Sequence, residues 1–89
     1  MKFMWDTRKA KENLRKHGVS FDEASTVFGD VLAATIADPD HSIGEHRFLT
    51  IGVSSADRIL VVSHTDSNEI TRIISSRPAT RHEKIRYKN

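Results

Sequence analysis

Arg58-Ile-Leu-Val-Val-Ser-His64 and Glu69-Ile-Thr-Arg-Ile-Ile-Ser-Ser-Arg77, separated by Thr65-Asp-Ser-Asn68 and closed by Pro78, decide how this chain folds. The first run is nearly continuous in apolar residues, as expected of a strand buried on both faces. Side chains that bond their own backbone fill the linker and turn the chain back. The second run is β-branched. Proline ends it, because proline cannot donate to a ladder and holds its predecessor extended. Two neighbouring antiparallel strands are predicted, and the second carries Arg72 and Arg77. Guanidinium is costly to bury and suits planar, bidentate recognition of phosphate or carboxylate, so a strand ending Ser-Ser-Arg-Pro is a candidate anion site.

Upstream, Arg47 to Val53 alternates, with Arg47, Leu49, Ile51 and Val53 on one side and Phe48, Thr50 and Gly52 on the other. Val31 to Ala37 is small and β-branched, and Asp38-Pro39-Asp40 follows as a turn. Four runs in succession predict a four-stranded antiparallel meander. Ahead of them, Asp6 is a good N-cap for a helix through Lys16 that Gly18 stops, with a thin apolar face of Ala10 and Leu14. Ser20-Phe21-Asp22-Glu23 spells a capping box that opens a second helix ending at Gly29-Asp30. Thr80-Arg81-His82-Glu83 spells another, for a short helix to about Tyr87. The predicted fold is α+β: two N-terminal helices, a four-stranded antiparallel sheet covered on one face, and a short C-terminal helix.

Eighty-nine residues suffice for one core, so residues 1–89 form a single domain. With 37% hydrophobic and 29% charged residues, the chain has a globular rather than a disordered balance. Cysteine is absent, which excludes disulfides and thiolate metal sites and points to a reducing cytoplasm. No apolar run approaches the ~20 residues needed to cross a bilayer, and the start lacks the apolar stretch of a secretory signal. Charge is unevenly spread: six Lys/Arg face two Asp/Glu in residues 1–17, two face nine in residues 18–71, and six face one in residues 72–89. Basic ends meeting on one face would suit a polyanion; solvated helix faces and a frayed tail are the alternative.

Arg72 and Arg77 are five apart, so a flat strand would point them to opposite faces. They converge only if the strand twists, bulges or ends near Ser75-Ser76, and Arg72 has an alternative role in pairing with Glu69 or Glu45. With His64 opposite Ile70, Val62 falls opposite Arg72 and His64 shares the face of Arg72; a one-residue slip reverses this. Imidazole suits proton shuttling near neutrality, while a hydrogen-bonded strand end is the plainer role. Glu83 and Tyr87 are four apart and share a helix face. Glu83 has a capping role, and Tyr87 suits stacking on a base, holding a phosphate or simple packing. His41, Glu45 and His46 lack a second cluster to complete a metal site, so no metal or other cofactor is expected. Cutting RNA needs a base for the 2′-hydroxyl, cations for the phosphorane and an acid for the departing 5′-oxygen. Arg, His, Glu, Tyr and Lys supply all three.

Several stretches together resemble the BrnT family of toxins. They are Phe3-Met4-Trp5-Asp6 with Lys9 and Asn13, Lys16-His17-Gly18-Val19-Ser20-Phe21-Asp22-Glu23-Ala24, Glu45 with Arg47, Ile51-Gly52, His64-Thr65, and Arg72 through Thr80 with Glu83 and Tyr87. The resemblance spans nearly the whole chain in one order. It implies a RelE-like ribonuclease of a type II toxin–antitoxin system, and a BrnA-like antitoxin with a ribbon-helix-helix portion through which the complex reaches operator DNA. Departures are Met4 where an acidic residue is common, Ser76 where Ala is common, and a Ser54-Ser55-Ala56-Asp57 turn without the frequent Gly. The expectation is a cytoplasmic, metal-independent endoribonuclease that inhibits translation, with Arg72, Arg77, His64, Tyr87 and Glu83 catalytic and Lys9, Arg47 and Arg81 on RNA. A non-catalytic nucleic-acid or ribosome binder, or a co-repressor module, is the alternative.

Overall fold

The computed structural model describes residues 1–40 and 46–88. Among the described residues the strands are β1 (Lys2–Met4), β2 (Ala34–Ala37), β3 (Phe48–Val53), β4 (Ile59–Ser67) and β5 (Ile70–Pro78). The helices are α1 (Thr7–His17), α2 (Phe21–Thr26), which runs into a 3-10 turn at Val27–Gly29, and α3 (Arg81–Lys88). They form one sheet in the order β1-β5-β4-β3-β2. The expected meander β2 to β5 is antiparallel throughout, but β1 adds to it in parallel with Phe3 opposite Thr71.

The sheet is thus five-stranded and mixed, a correction to the four-stranded antiparallel expectation. A three-residue strand has too few positions to show a period, and tertiary packing holds this one. Phe3 packs on Phe28 with ring centroids 5.4 Å apart, and Trp5 meets Phe21 edge-on at 5.9 Å.

Val19, Phe21, Ala24 and Val27 close over Leu60, Val62 and Ile73 to make the core. On α2 only half of the predicted capping box forms: the Ser20 hydroxyl accepts from the Glu23 amide at 3.0 Å. The Glu23 carboxylate instead accepts from Arg58 Nε at 2.9 Å and from the Ser54 hydroxyl at 2.7 Å, fastening α2 to the β3–β4 turn. Asp57 takes the left-handed conformation there, with φ 60°, in place of glycine.

Beyond Arg72, β1 no longer covers the outer edge of β5. Asn13 of α1 fills it, its amide donating to Ser76 O at 2.8 Å and its carbonyl accepting from Ser76 N at 3.0 Å. A buried carboxamide thereby satisfies an edge that would otherwise lie open to another chain. At the other end of β5, β4 continues through Ser67, so the turn expected over Thr65–Asn68 shrinks to Asn68-Glu69. Both have positive φ, 51° and 66°, as a tight two-residue hairpin requires.

One irregularity positions the site. Ser63 pairs with Ser75, but His64 pairs with Ile73, so Ile74 is an extra residue in β5. A bulge of this kind resets which face each later side chain takes.

Candidate functional site: a guanidinium face closed by the last helix

Leu60, Val62 and His64 are buried under α1 and α2. Alternation therefore sends Val61, Ser63 and Thr65 to the opposite, open face. Arg77 lies across from Val61 and Arg72 across from Thr65, so both arginines stand on that open face. The bulge at Ile74 meets the condition that a five-residue spacing imposes. Along the strand the two are separated by roughly 15 Å, which suits two separate phosphates of one strand better than a joint grip on a single phosphate.

Arg72 is exposed and has no carboxylate partner among the described residues; the proposed pairing with Glu69 does not form. Arg77 is half-exposed and clasped. Its Nη1 and Nη2 donate to the two Glu83 oxygens at 2.7 and 3.0 Å, the fork-on-fork geometry that a phosphate would also satisfy. Glu83 also completes the second capping box: its carboxylate accepts from the Thr80 amide at 2.8 Å, and its own amide donates to the Thr80 hydroxyl at 3.2 Å. Arg77 is the main reason the Glu83 carboxyl is held down at about 2, with the Thr80 contacts adding to it.

Tyr87, one turn further along α3, donates its hydroxyl to Asp30. Asp30 also accepts from the Leu32 and Val53 amides, both at 2.9 Å. Its pKa is lowered, first by the Tyr87 hydroxyl and then by these amides, and the phenol is raised in return. Gly52 makes room for this junction, since a Cβ there would sit 3.1 Å from the Asp30 carboxylate and 3.0 Å from Val27. Two polar clasps, Arg77–Glu83 and Tyr87–Asp30, thus hold α3 on the open face, although α3 buries none of its residues.

His64 is elsewhere. It pairs with Ile73, not Ile70, and faces the helices with 1% of its surface exposed. Its Nε2 meets the Thr50 hydroxyl at 2.7 Å and its Nδ1 meets Asp66 at 3.0 Å, while Phe28 packs edge-on at 4.9 Å and Phe48 stacks at 5.9 Å. The expectation that His64 shares the face of Arg72 is corrected: the tight Asn68-Glu69 turn sets Thr65, not Val62, opposite Arg72 and leaves His64 on the other face.

Of the remaining expected residues, Arg47 precedes β3, and its carbonyl accepts from Asp38 N at 2.8 Å, extending the β2–β3 ladder by one pair. That register gives it the parity of Leu49 and Ile51, which lie on the open face. Arg81 opens α3. Lys9 lies on α1, one turn before Asn13, whose side chain bonds the backbone of Ser76 on β5. His41 and Glu45, which entered the metal reading and the resemblance, lie outside the described residues; His46 is exposed. Among the described residues no group of three metal-ligating side chains gathers. Sequence reasoning did not single out Asp30 as the holder of Tyr87; the only signal was an Asp beside a helix-ending Gly.

Fold and site together define a small α+β protein with an arginine-bearing open sheet face and a short helix clasped over part of it. The chain belongs to the family described as the ribonuclease toxin, BrnT, of type II toxin–antitoxin systems, whose model matches residues 5–83. Its fold is similar to that in the 1.1 Å crystal structure of the Brucella abortus ribonuclease toxin BrnT, with a TM-score of 0.70 and 25% identity over 91% of this chain and 99% of that one. No functionally curated protein matches it. No helix among the described residues is long and apolar enough to cross a membrane.

Proposed function

We propose that this chain is a metal-independent endoribonuclease that cuts RNA by attack of the 2′-hydroxyl on the adjacent phosphate, and so inhibits translation until its antitoxin binds. The observation that carries this reading is the placement of Arg72 and Arg77 on one accessible face by the Ile74 bulge. A single RNA strand laid along β5 meets Arg77 with the scissile phosphate and Arg72 with another phosphate further along. Arg47, Arg81 and Lys9 supply further positive charge for the RNA around that path.

The scissile phosphate competes with the Glu83 carboxylate for Arg77. While paired, Glu83 is held at about 2 and is a weak base. Once the phosphate takes the guanidinium, Glu83 returns toward the ordinary carboxylate range and accepts the 2′-hydroxyl proton. The 2′-oxygen bonds to phosphorus, Arg77 stabilises the charge on the phosphorane, and the bond to the 5′-oxygen breaks to leave a 2′,3′-cyclic phosphate. Tyr87 protonates the leaving oxygen. His64 supports the sheet from behind and takes no proton in this scheme.

The setting we propose is a RelE-like toxin acting in the cytoplasm, with a BrnA-like ribbon-helix-helix antitoxin that carries the complex to operator DNA; membership of a type II toxin–antitoxin family supports it. Purified chain incubated with end-labelled RNA in EDTA tests the reading. Cleavage supports the enzyme. Retention of intact RNA identifies a binder, and expression without growth arrest identifies a co-repressor.

A further inference from the structure

A trough on the open face lies between β2–β3 and α3. Leu32, Ile36, Leu49, Ile51 and Val61 contribute to its floor, and Glu83, Arg86 and Tyr87 form its wall around about 500 Å³. Leu32 and Ile36 remain 73% and 61% exposed. Clustered aliphatic surface of this kind, beside a single cation unpaired among the described residues, marks an interaction site. The floor is branched-aliphatic, with no aromatic platform on which nucleobases stack, so it suits protein side chains better than bases.

Charge narrows the occupant further. Arg77 neutralises Glu83 and Tyr87 is turned to Asp30, which leaves Arg86 as the unpaired charge of the wall among the described residues. The occupant complementary to this site is an apolar segment with a carboxylate beside it. Position gives the consequence, because Val61 on the floor lies directly across from Arg77 in the sheet register.

We propose that the trough is the seat of the antitoxin. An apolar segment of that partner lies over Ile36, Leu49 and Val61, sets a carboxylate against Arg86, and closes the approach to Arg77. The inference rests on the ribonuclease-toxin reading for its consequence but is tested apart from it.

Leu32→Asp combined with Ile36→Asp places charge on two exposed side chains, and circular dichroism checks that the fold persists. Titration with the full-length antitoxin of the same system is expected to show binding weakened by roughly tenfold or more, as for loss of an interface anchor. Arg86→Glu is expected to weaken binding severalfold and to flatten its dependence on salt, and it decides the matter should the double variant not fold. RNA cleavage by the folded variants is expected to match wild type. Wild-type affinity in these variants overturns the inference. So does the absence of any complex with the wild-type chain, and so does loss of RNA cleavage with antitoxin binding intact, which would make the trough an RNA subsite. If the wild-type chain cuts no RNA while the variants still lose the antitoxin, the docking site stands and the ribonuclease reading falls.

Discussion

Arg72 and Arg77 stand on the same face of β5 although five residues separate them, because Ile74 is inserted without a partner between Ile73 and Ser75. His64, which alternates with Leu60 and Val62 on β4, lies behind the sheet opposite Ile73. One extra residue therefore assembles the guanidinium face and keeps both arginines off the face of the imidazole.

His64 is expected to contribute stability rather than chemistry. Replacing it with Ala removes a ring packed between Phe28 and Phe48 and takes one partner from the Thr50 hydroxyl. The expected cost is about 2–4 kcal/mol, from the cavity and the lost hydrogen bond. Thermal denaturation is expected to show a melting temperature lower by roughly 10 °C or more. RNA cleavage per folded molecule at low temperature is expected to stay within severalfold of wild type. A stable His64→Ala protein without cleavage would return the imidazole to the mechanism.

Ser76→Ala points the other way. The Ser76 hydroxyl is buried with no hydrogen-bond partner among the described residues, while the backbone of the same residue is fully engaged by Asn13. Removing an unsatisfied hydroxyl from a packed site stabilises by about 0.5–1 kcal/mol. A melting temperature a few degrees above wild type is the expected result, and a lower one would show that the hydroxyl is paired after all.

Glu83 links stability to acidity. Its carboxyl lies near its ordinary 4.5 in the unfolded chain and at about 2 when clasped by Arg77. Between those values the unfolded chain binds more protons, so stability rises with pH across that window. The contribution is complete above about 4.5 and is lost as pH falls toward 2. Because the Glu83 side chain is 32% exposed, solvent screens the pair and the change is modest. Denaturant melts from pH 5 to pH 2 are expected to show a flatter curve for Glu83→Gln than for wild type. The same variant is expected to lose RNA cleavage, as removal of the proposed base requires.

Much of this was legible in the residues. Proline at 78, the apolar run to His64 and the turn chemistry between them set the β4–β5 pair, and the Thr80–Glu83 capping box formed in full. What was hidden depended on tertiary partners. Glu23 has the same box spacing as Glu83 but is drawn to Arg58, a residue 35 positions away. β1 is too short to show a period and exists because Phe3 and Trp5 find aromatic neighbours. The bulge carries no glycine to announce it, so parity could state the condition for a joint arginine face but not whether the chain met it.

The central claim is that Arg77 stabilises the transition state of a metal-free RNA cleavage. Single-turnover cleavage of a labelled RNA in EDTA by wild type and by Arg77→Ala tests it directly. Wild type is expected to leave 2′,3′-cyclic phosphate ends, and Arg77→Ala to be slower by roughly 100-fold or more while remaining folded and bound by antitoxin. A folded Arg77→Ala protein cutting at the wild-type rate would contradict the account.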